Sequence, residues 1–260
     1  MRAHAVVVVE CDAAGRSVWR TVRSQAPLVL RRSAGCLYLV AAAGGPLGGD
    51  ELLLEIEVHD GASLTLRTVA ASVAQPSSPA ALSTMTVRAT VGRGARLELL
   101  PEPVVISDRA RHAMDTQVTL AGDASLELRE EIVLGRHAEA GGHVTASTSV
   151  VRDGHPLLRQ SIDVDGASPQ RRSVIADARA FGSLLVVSPS LLAGASASPV
   201  PVSGALIAPV SRPGLAVMPI ADGVALATAI AADSLVLRTR LSEGARLVAA
   251  HSADVLAAPA

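Results

Sequence analysis

Alternation with a period of two runs through the first two-thirds of the chain. In "ELLLEIEV", Leu52, Leu54, Ile56 and Val58 fall on one face, while Glu51, Leu53, Glu55 and Glu57 fall on the other. "SLTLRTV", "ARLELL" and "ASLELREEIVL" repeat the pattern. Successive side chains of a strand point to opposite faces, so this pattern predicts half-buried strands rather than helices. A weak internal repeat accompanies it. "DGASLTL" begins at Asp60, "RGARLELL" at Arg93, "GDASLELR" at Gly122 and "EGARLVA" at Glu243. The first three are roughly thirty residues apart, which suits either reused hairpins or stacked strand layers.

Helix signals are few. Residues 169–181, "PQRRSVIADARAF", carry Ala, Arg and Asp at helical spacing, and 222–241 reads as a segment that begins helical and ends as a strand. The expected organisation is one domain over 1–260, with a strand-rich body at about 1–165 and a mixed C-terminal third at about 166–260. The charge-free stretch between Arg179 and Arg212 holds Pro189, Pro199, Pro201 and Pro209. That much proline argues against a spanning helix, so buried strand or helix pieces joined by a Pro/Ser-rich loop are expected.

Composition narrows the chemistry. All 23 basic residues are arginine, and asparagine is also missing. Without lysine the chain has no Schiff-base nucleophile and no phosphate-loop lysine. The aromatic set is Trp19, Tyr38 and Phe181, too few to make a stacking platform for single-stranded nucleic acid or sugars. The core must come from Val, Leu, Ala and Ile. The formal net charge is −1, with no basic arm or acidic tail, so neither nucleic acid nor a membrane surface is an expected partner. The apolar run in "MRAHAVVVVEC" is too short for a signal peptide. Cys11 and Cys36 are isolated and read as small, buried, reduced residues.

The stretch "GGPLGGD", residues 44–50, imitates a phosphate-binding loop. Such a loop needs Lys after its last glycine and opens a helix; here Asp50 follows Gly49 and a strand pattern comes next. It is therefore read as a glycine turn that lets backbones approach closely, with an acid at its exit. The chain has no GxSxG elbow, HExxH or paired CxxC.

Two acidic groups remain. Glu130 and Glu131 lie within an apolar strand pattern, so one must face inward or sit on a sheet edge, where a buried carboxylate needs a partner, water or a cation. "LGRHAEAGGH" places His137, Glu139 and His143 on one Gly-rich loop, and imidazole with carboxylate suits nickel, zinc or copper. His112, Asp108 and Asp115 are expected at the surface.

In order and spacing, "GGPLGGD", "GASLTLRTVAAS", "LELLPEPVVISDRAR", "LELREEIVLGR" and "VRDGHPLLRQ" resemble the urease accessory protein D family, called H in some organisms. The resemblance covers about residues 1–165 and continues more faintly through "FGSLLVVSP". It carries over to Gly49, Asp50, Thr68, Pro101, Gly135 and Arg136, mostly as structural positions. "RTVAASVAQ" departs from the family's usual run, lacking its Lys and aromatic residue, as do Glu102 after Pro101 and "HAEAGGH" after "LGR".

The resemblance implies a cytosolic, largely β protein with a β-helix-like body and a few helices. It implies a non-enzyme that joins accessory proteins F and G, the latter a GTPase, and binds the urease apoprotein. Nickel is implied in transit through an interior path, with no tightly bound cofactor. On that reading Asp50, Glu130 and Glu131 are candidate interior acids, and His137, Glu139 and His143 are candidate residues at the mouth. The alternative is a β-solenoid hydrolase that works through a pair of carboxylates.

Overall fold

A computed structural model describes residues 1–33, 35–189 and 209–257, with side chains through residue 250. The chain winds between two sheets. β1 (Arg2–Cys11) and β2 (Ser17–Arg23) form a hairpin in the first sheet, and β3 (Leu28–Ser33) and β4 (Cys36–Ala41) form one in the second. Three coils follow, each crossing from the first sheet to the second. The first runs from β5 (Glu51–Val58) to β6 (Ser63–Thr68) and β7 (Ser72–Ala74). The next runs from β8 (Ser83–Val91) to β9 (Arg96–Leu100) and β10 (Val104–Ile106), and the third from β11 (Arg111–Leu120) to β12 (Ser125–Leu134). Successive coils pair in parallel, in the manner of a β-solenoid.

The hairpin of β13 (His143–Arg152) and β14 (His155–Asp165) completes the first sheet. β15 (Ala180–Val187), β16 (Val210–Arg212), β17 (Leu215–Ala221) and β18 (Val224–Ala231) extend the second. A 3-10 turn (Pro169–Arg171), a four-residue helix, α1 (Arg172–Ile175), and a long one, α2 (Ser234–Ala257), complete the described elements.

The repeated turns at Asp60, Arg93 and Gly122 are the corners of the coils, and they stack. The Asp60 carboxylate accepts from the Arg93 N–H at 2.8 Å, Asp123 accepts from the Gly94 N–H at 2.7 Å, and Asp153 accepts from the Gly122 N–H at 3.1 Å. Each acid satisfies an amide that the turn takes out of the strand ladder. The fourth copy, at Glu243, is not a corner; it lies within α2.

Between the sheets lies an aliphatic core. Ala5, Val7, Leu54, Ile56 and Val91 of the first sheet meet Leu37, Leu66, Leu97 and Leu126 of the second. The other face of the second sheet is covered where α2 lies on it. There Leu237, Leu241 and Val248 pack on Ala225, Ala227 and Ala229. The alanines let the helix approach closely: a Cβ at Gly244 would stand 2.8 Å from that of Ala227.

The structure departs from the sequence pattern in two segments. Residues 222–241 run strand first and helix second, as β18 and then α2. β18 is buried on both faces, so "VALATAIA" reads as a continuous apolar run, which periodicity does not separate from a buried helix. Within 169–181 the helical run covers only 169–175, a 3-10 turn followed by α1, because Ala176 at φ 51° ends it and Phe181 belongs to β15. Of the charge-free stretch, β15 is buried strand as expected, while 190–208 falls outside the described residues.

Candidate functional site

The site begins with an interruption in the second sheet. β9 ends at Leu100, and Pro101 and Pro103, which carry no N–H, keep the ladder from continuing until β10 starts. One coil earlier, Val69–Ala71 separate β6 from β7 at the corresponding place. β12 runs straight past this gap. It pairs with β9 through Ser125–Leu128 and with β10 through Ile132–Leu134, so Arg129, Glu130 and Glu131 have no strand partner on that side.

A cavity of about 710 Å³ lies against the gap. Its lining includes Asp50, Met85, His112, Met114, Thr116 and Glu130.

The "GGPLGGD" turn forms part of its wall. A Cβ at Gly48 would lie 2.7 Å from the Ala81 carbonyl oxygen, so glycine is needed for the close approach anticipated from the sequence. Asp50 accepts from the Leu47 N–H at 2.9 Å and pairs with the Met1 amine. Burial alone would raise the Asp50 carboxyl, but the amine's hydrogen bond, the Leu47 N–H and the amine's charge outweigh it and hold the group below the usual carboxylate range.

Glu130 points between the sheets. Its carboxylate accepts from Thr116 Oγ1 at 3.1 Å and from Thr148 Oγ1 at 2.6 Å, across from the facing sheet. Burial pushes its pKa up, against the two threonine bonds. Glu131, 2% exposed, points the other way. There it joins Arg129, Glu102 and Arg238 in a cluster of two acids and two arginines.

Arg238 reaches down from α2, with Nε 2.9 Å from Glu131 Oε1 and Nη1 3.0 Å from Glu102. Burial would lower the Arg238 pKa, but its bonds to Glu131 and Glu102 raise it overall. Arg129 Nη2 donates to the carbonyls of Leu100 and Pro101, which the interrupted ladder leaves free. Its Nε stands 2.9 Å from Glu131 Oε1 but off the N–H direction, so that contact is an ion pair without a hydrogen bond.

His112 corrects the sequence reading. Expected at the surface, it is 2% exposed and lines the cavity. In "RHAMDTQVTL" the inward face is His112, Met114, Thr116, Val118 and Leu120, and the same alternation applied elsewhere would have placed it. His112 Nδ1 lies 2.9 Å from Ser83 Oγ, and that hydroxyl donates to the Arg111 carbonyl at 3.2 Å. When the hydroxyl donates to that carbonyl, it accepts from Nδ1 and the lone pair is on Nε2. Burial lowers the His112 pKa to about 4, so the ring is neutral at pH 7.

The other sequence candidates lie elsewhere. Glu139 folds back on its own loop, with Oε1 2.8 Å from Arg136 Nε and Oε2 accepting from the Arg136 N–H at 2.9 Å. Those bonds bring its pKa down to about 2. His143 Nε2 sits 3.0 Å from Asp163 on the outer face of the first sheet, and His137 is exposed. None of the three lines the cavity. Gly135 takes φ 74° and Arg136 pins Glu139, so both act as structural positions.

The arrangement presents a cation with a buried carboxylate, a neutral imidazole and hydroxyls in a largely apolar chamber. Among the described residues, no three His, Cys, Asp or Glu side chains gather into a metal cage. The hydrolase alternative needs two acids flanking one bond. Glu130 and Glu131 occupy opposite faces of β12, so this adjacent pair does not supply them.

A family model described as UreD urease accessory protein matches residues 1–259. The chain belongs to that family. It is 40% identical over 283 residues to the urease accessory protein UreD of Parafrankia sp. (strain EAN1pec), covering 98% of this chain and 92% of the relative. It is 39% identical over 255 residues to UreD 1 of Saccharopolyspora erythraea, covering 94% of each. UreD 3 of Streptomyces griseus subsp. griseus is 38% identical over 257 residues, covering 95% of this chain and 96% of that protein. Family membership gives the chain a role in urease maturation, as an accessory rather than a catalytic protein. No described helix is long and apolar enough to cross a membrane.

Proposed function

We propose that this UreD-family chain is a non-enzymatic cytosolic chaperone that binds the urease apoprotein together with accessory proteins F and G and helps to deliver nickel. The observation that carries this reading is Glu130, a buried carboxylate held by two threonines at the wall of the interior cavity. A conduit must bind its ion and let it go. A single carboxylate with hydroxyl neighbours does so by exchanging one ligand at a time, whereas a closed four-ligand site retains the metal.

Asp50 and Glu130 are the interior contacts in this proposal, and the Met1 amine competes with the ion for Asp50. Glu131 has a different part. It borders the cavity too, ion-paired with Arg129 and Arg238, so it remains a proposed nickel contact that must first leave its arginines, and meanwhile it holds α2 against the sheet. His137, Glu139 and His143 remain proposed contacts for capture or release outside the cavity; Glu139 must leave Arg136 to serve. The chain carries no phosphate-loop lysine, so nucleotide energy enters from the GTPase partner.

The test is co-expression of the urease subunits, all accessory proteins and nickel, with and without this chain. Urease activity and bound nickel disappear together when it is omitted. Unchanged activity and nickel would overturn the proposal.

A further inference from the structure

We propose that the cavity wall formed by β8 and β11 is a binding site for monovalent copper, with His112 Nε2 and the thioethers of Met85 and Met114 as ligands. The site does not depend on the urease role. The chain has four methionines, and Met1, Met85 and Met114 line this one cavity. Met85 and Met114 are register partners on adjacent parallel strands, and His112 precedes Met114 by two residues on the same face. Neighbouring strands are about 4.8 Å apart and alternate residues about 6.6 Å apart, so the three side chains reach a common point above the strand pair.

The two methionines differ from ordinary core residues. They stand on the inward face yet are only half-buried, because they border open space rather than packed side chains. Met85 packs beside the aliphatic core and Met114 beside a separate cluster that contains Ile132 and Phe181. The thioethers therefore meet where these two packed regions part. Methionine is unbranched and flexible, so each sulfur can swing onto an ion without moving the backbone.

The imidazole is already oriented. Ser83 Oγ lies 2.9 Å from Nδ1 and holds the ring in place, and Nε2 has no hydrogen-bond partner among the described residues. A contact on the far ring nitrogen is how proteins aim a histidine at a metal.

The donor set chooses the ion. Thioether sulfur is soft and selects Cu(I), while hard divalent ions prefer oxygen. Imidazole and two thioethers bring no formal charge, so this ligand set leaves less uncompensated charge on a monovalent ion than on a divalent one.

The test is anaerobic titration of the full chain with Cu(I) buffered by a chromogenic chelator under ascorbate. One equivalent is retained against the chelator, and X-ray absorption shows both sulfur and imidazole nitrogen around copper. Met85→Leu and Met114→Leu conserve volume and leave the fold intact. Each weakens retention, as does His112→Gln, while Ser83→Ala lowers affinity about 10–100-fold. A double Cys11→Ser, Cys36→Ser variant retains copper normally. The proposal is overturned if the wild-type chain loses Cu(I) to the chelator. It is equally overturned if the cysteine variant abolishes retention, or if both methionine variants and His112→Gln bind like wild type.

Discussion

Glu130 and Glu131 are adjacent in sequence and serve opposite sides of one sheet. Glu130 bonds to Thr116 and Thr148 of the facing sheet, and Glu131 bonds to Arg238 of the C-terminal helix. The gap between β9 and β10 exposes both to space that a paired strand would fill. The two acids therefore answer to different experiments.

Replacing Glu131 leaves two arginines beside the single remaining acid, Glu102. Breaking a buried pair in this way costs about 3–5 kcal/mol. Glu131→Ala is expected to lose stability on that scale in urea denaturation and to make α2 an early site of proteolysis. Glu139→Gln, which opens one ion pair on an exposed loop, is expected to change stability by less than about 1 kcal/mol.

Glu130 carries the opposite expectation. Its folded-state pKa lies above its unfolded value, so its contribution is fully present below the unfolded pKa and is lost as pH rises through the folded one. Glu130→Gln removes the buried charge. The variant's stability relative to wild type should rise with pH across that window, read from denaturation midpoints between pH 4 and 9. A constant difference would show that Glu130 titrates as an ordinary exposed acid.

His112 makes the chain acid-sensitive in a separate window. Its folded pKa of about 4 lies below the usual 6.5, so the unfolded chain binds more protons between those values and stability falls as pH drops from 6.5 toward 4. The full effect is on the order of 3 kcal/mol. Glu130 contributes with the opposite sign in the same acid range. The steep fall below pH 6.5 should therefore flatten in His112→Gln and sharpen in Glu130→Gln.

Gly182 lies opposite Glu131 in the β12–β15 pair, and a Cβ there would overlap the Glu130 carbonyl oxygen. Gly182→Ala must push β15 from β12, at a cost of about 1–3 kcal/mol in thermal or urea unfolding. Wild-type stability would show that the strands separate more easily than their packing implies.

The strands of the coils were legible because one face is buried and the other wet, as in "ELLLEIEV". The repeated corners were legible as Gly and Asp turns of even spacing. β15 and β18 were harder to read, since covering both faces erases the alternation. The acids were found as polar residues in apolar strands and alternation divides them between faces, but the burial of Glu131 depends on α2, which arrives more than a hundred residues later. His112 was accessible to the same parity argument that placed Leu54. The arginine cluster was not, because Glu102, Arg129 and Arg238 meet only through the gap in the sheet.

In the proposed role, metal meets Glu130 inside the chain on its way to urease. The direct measurement is nickel per urease after co-expression at limiting nickel, with wild-type chain or with Glu130→Gln at equal soluble abundance. The Gln variant should leave urease with much less nickel and activity, and added nickel should partly restore both. Wild-type loading with Glu130→Gln would contradict it.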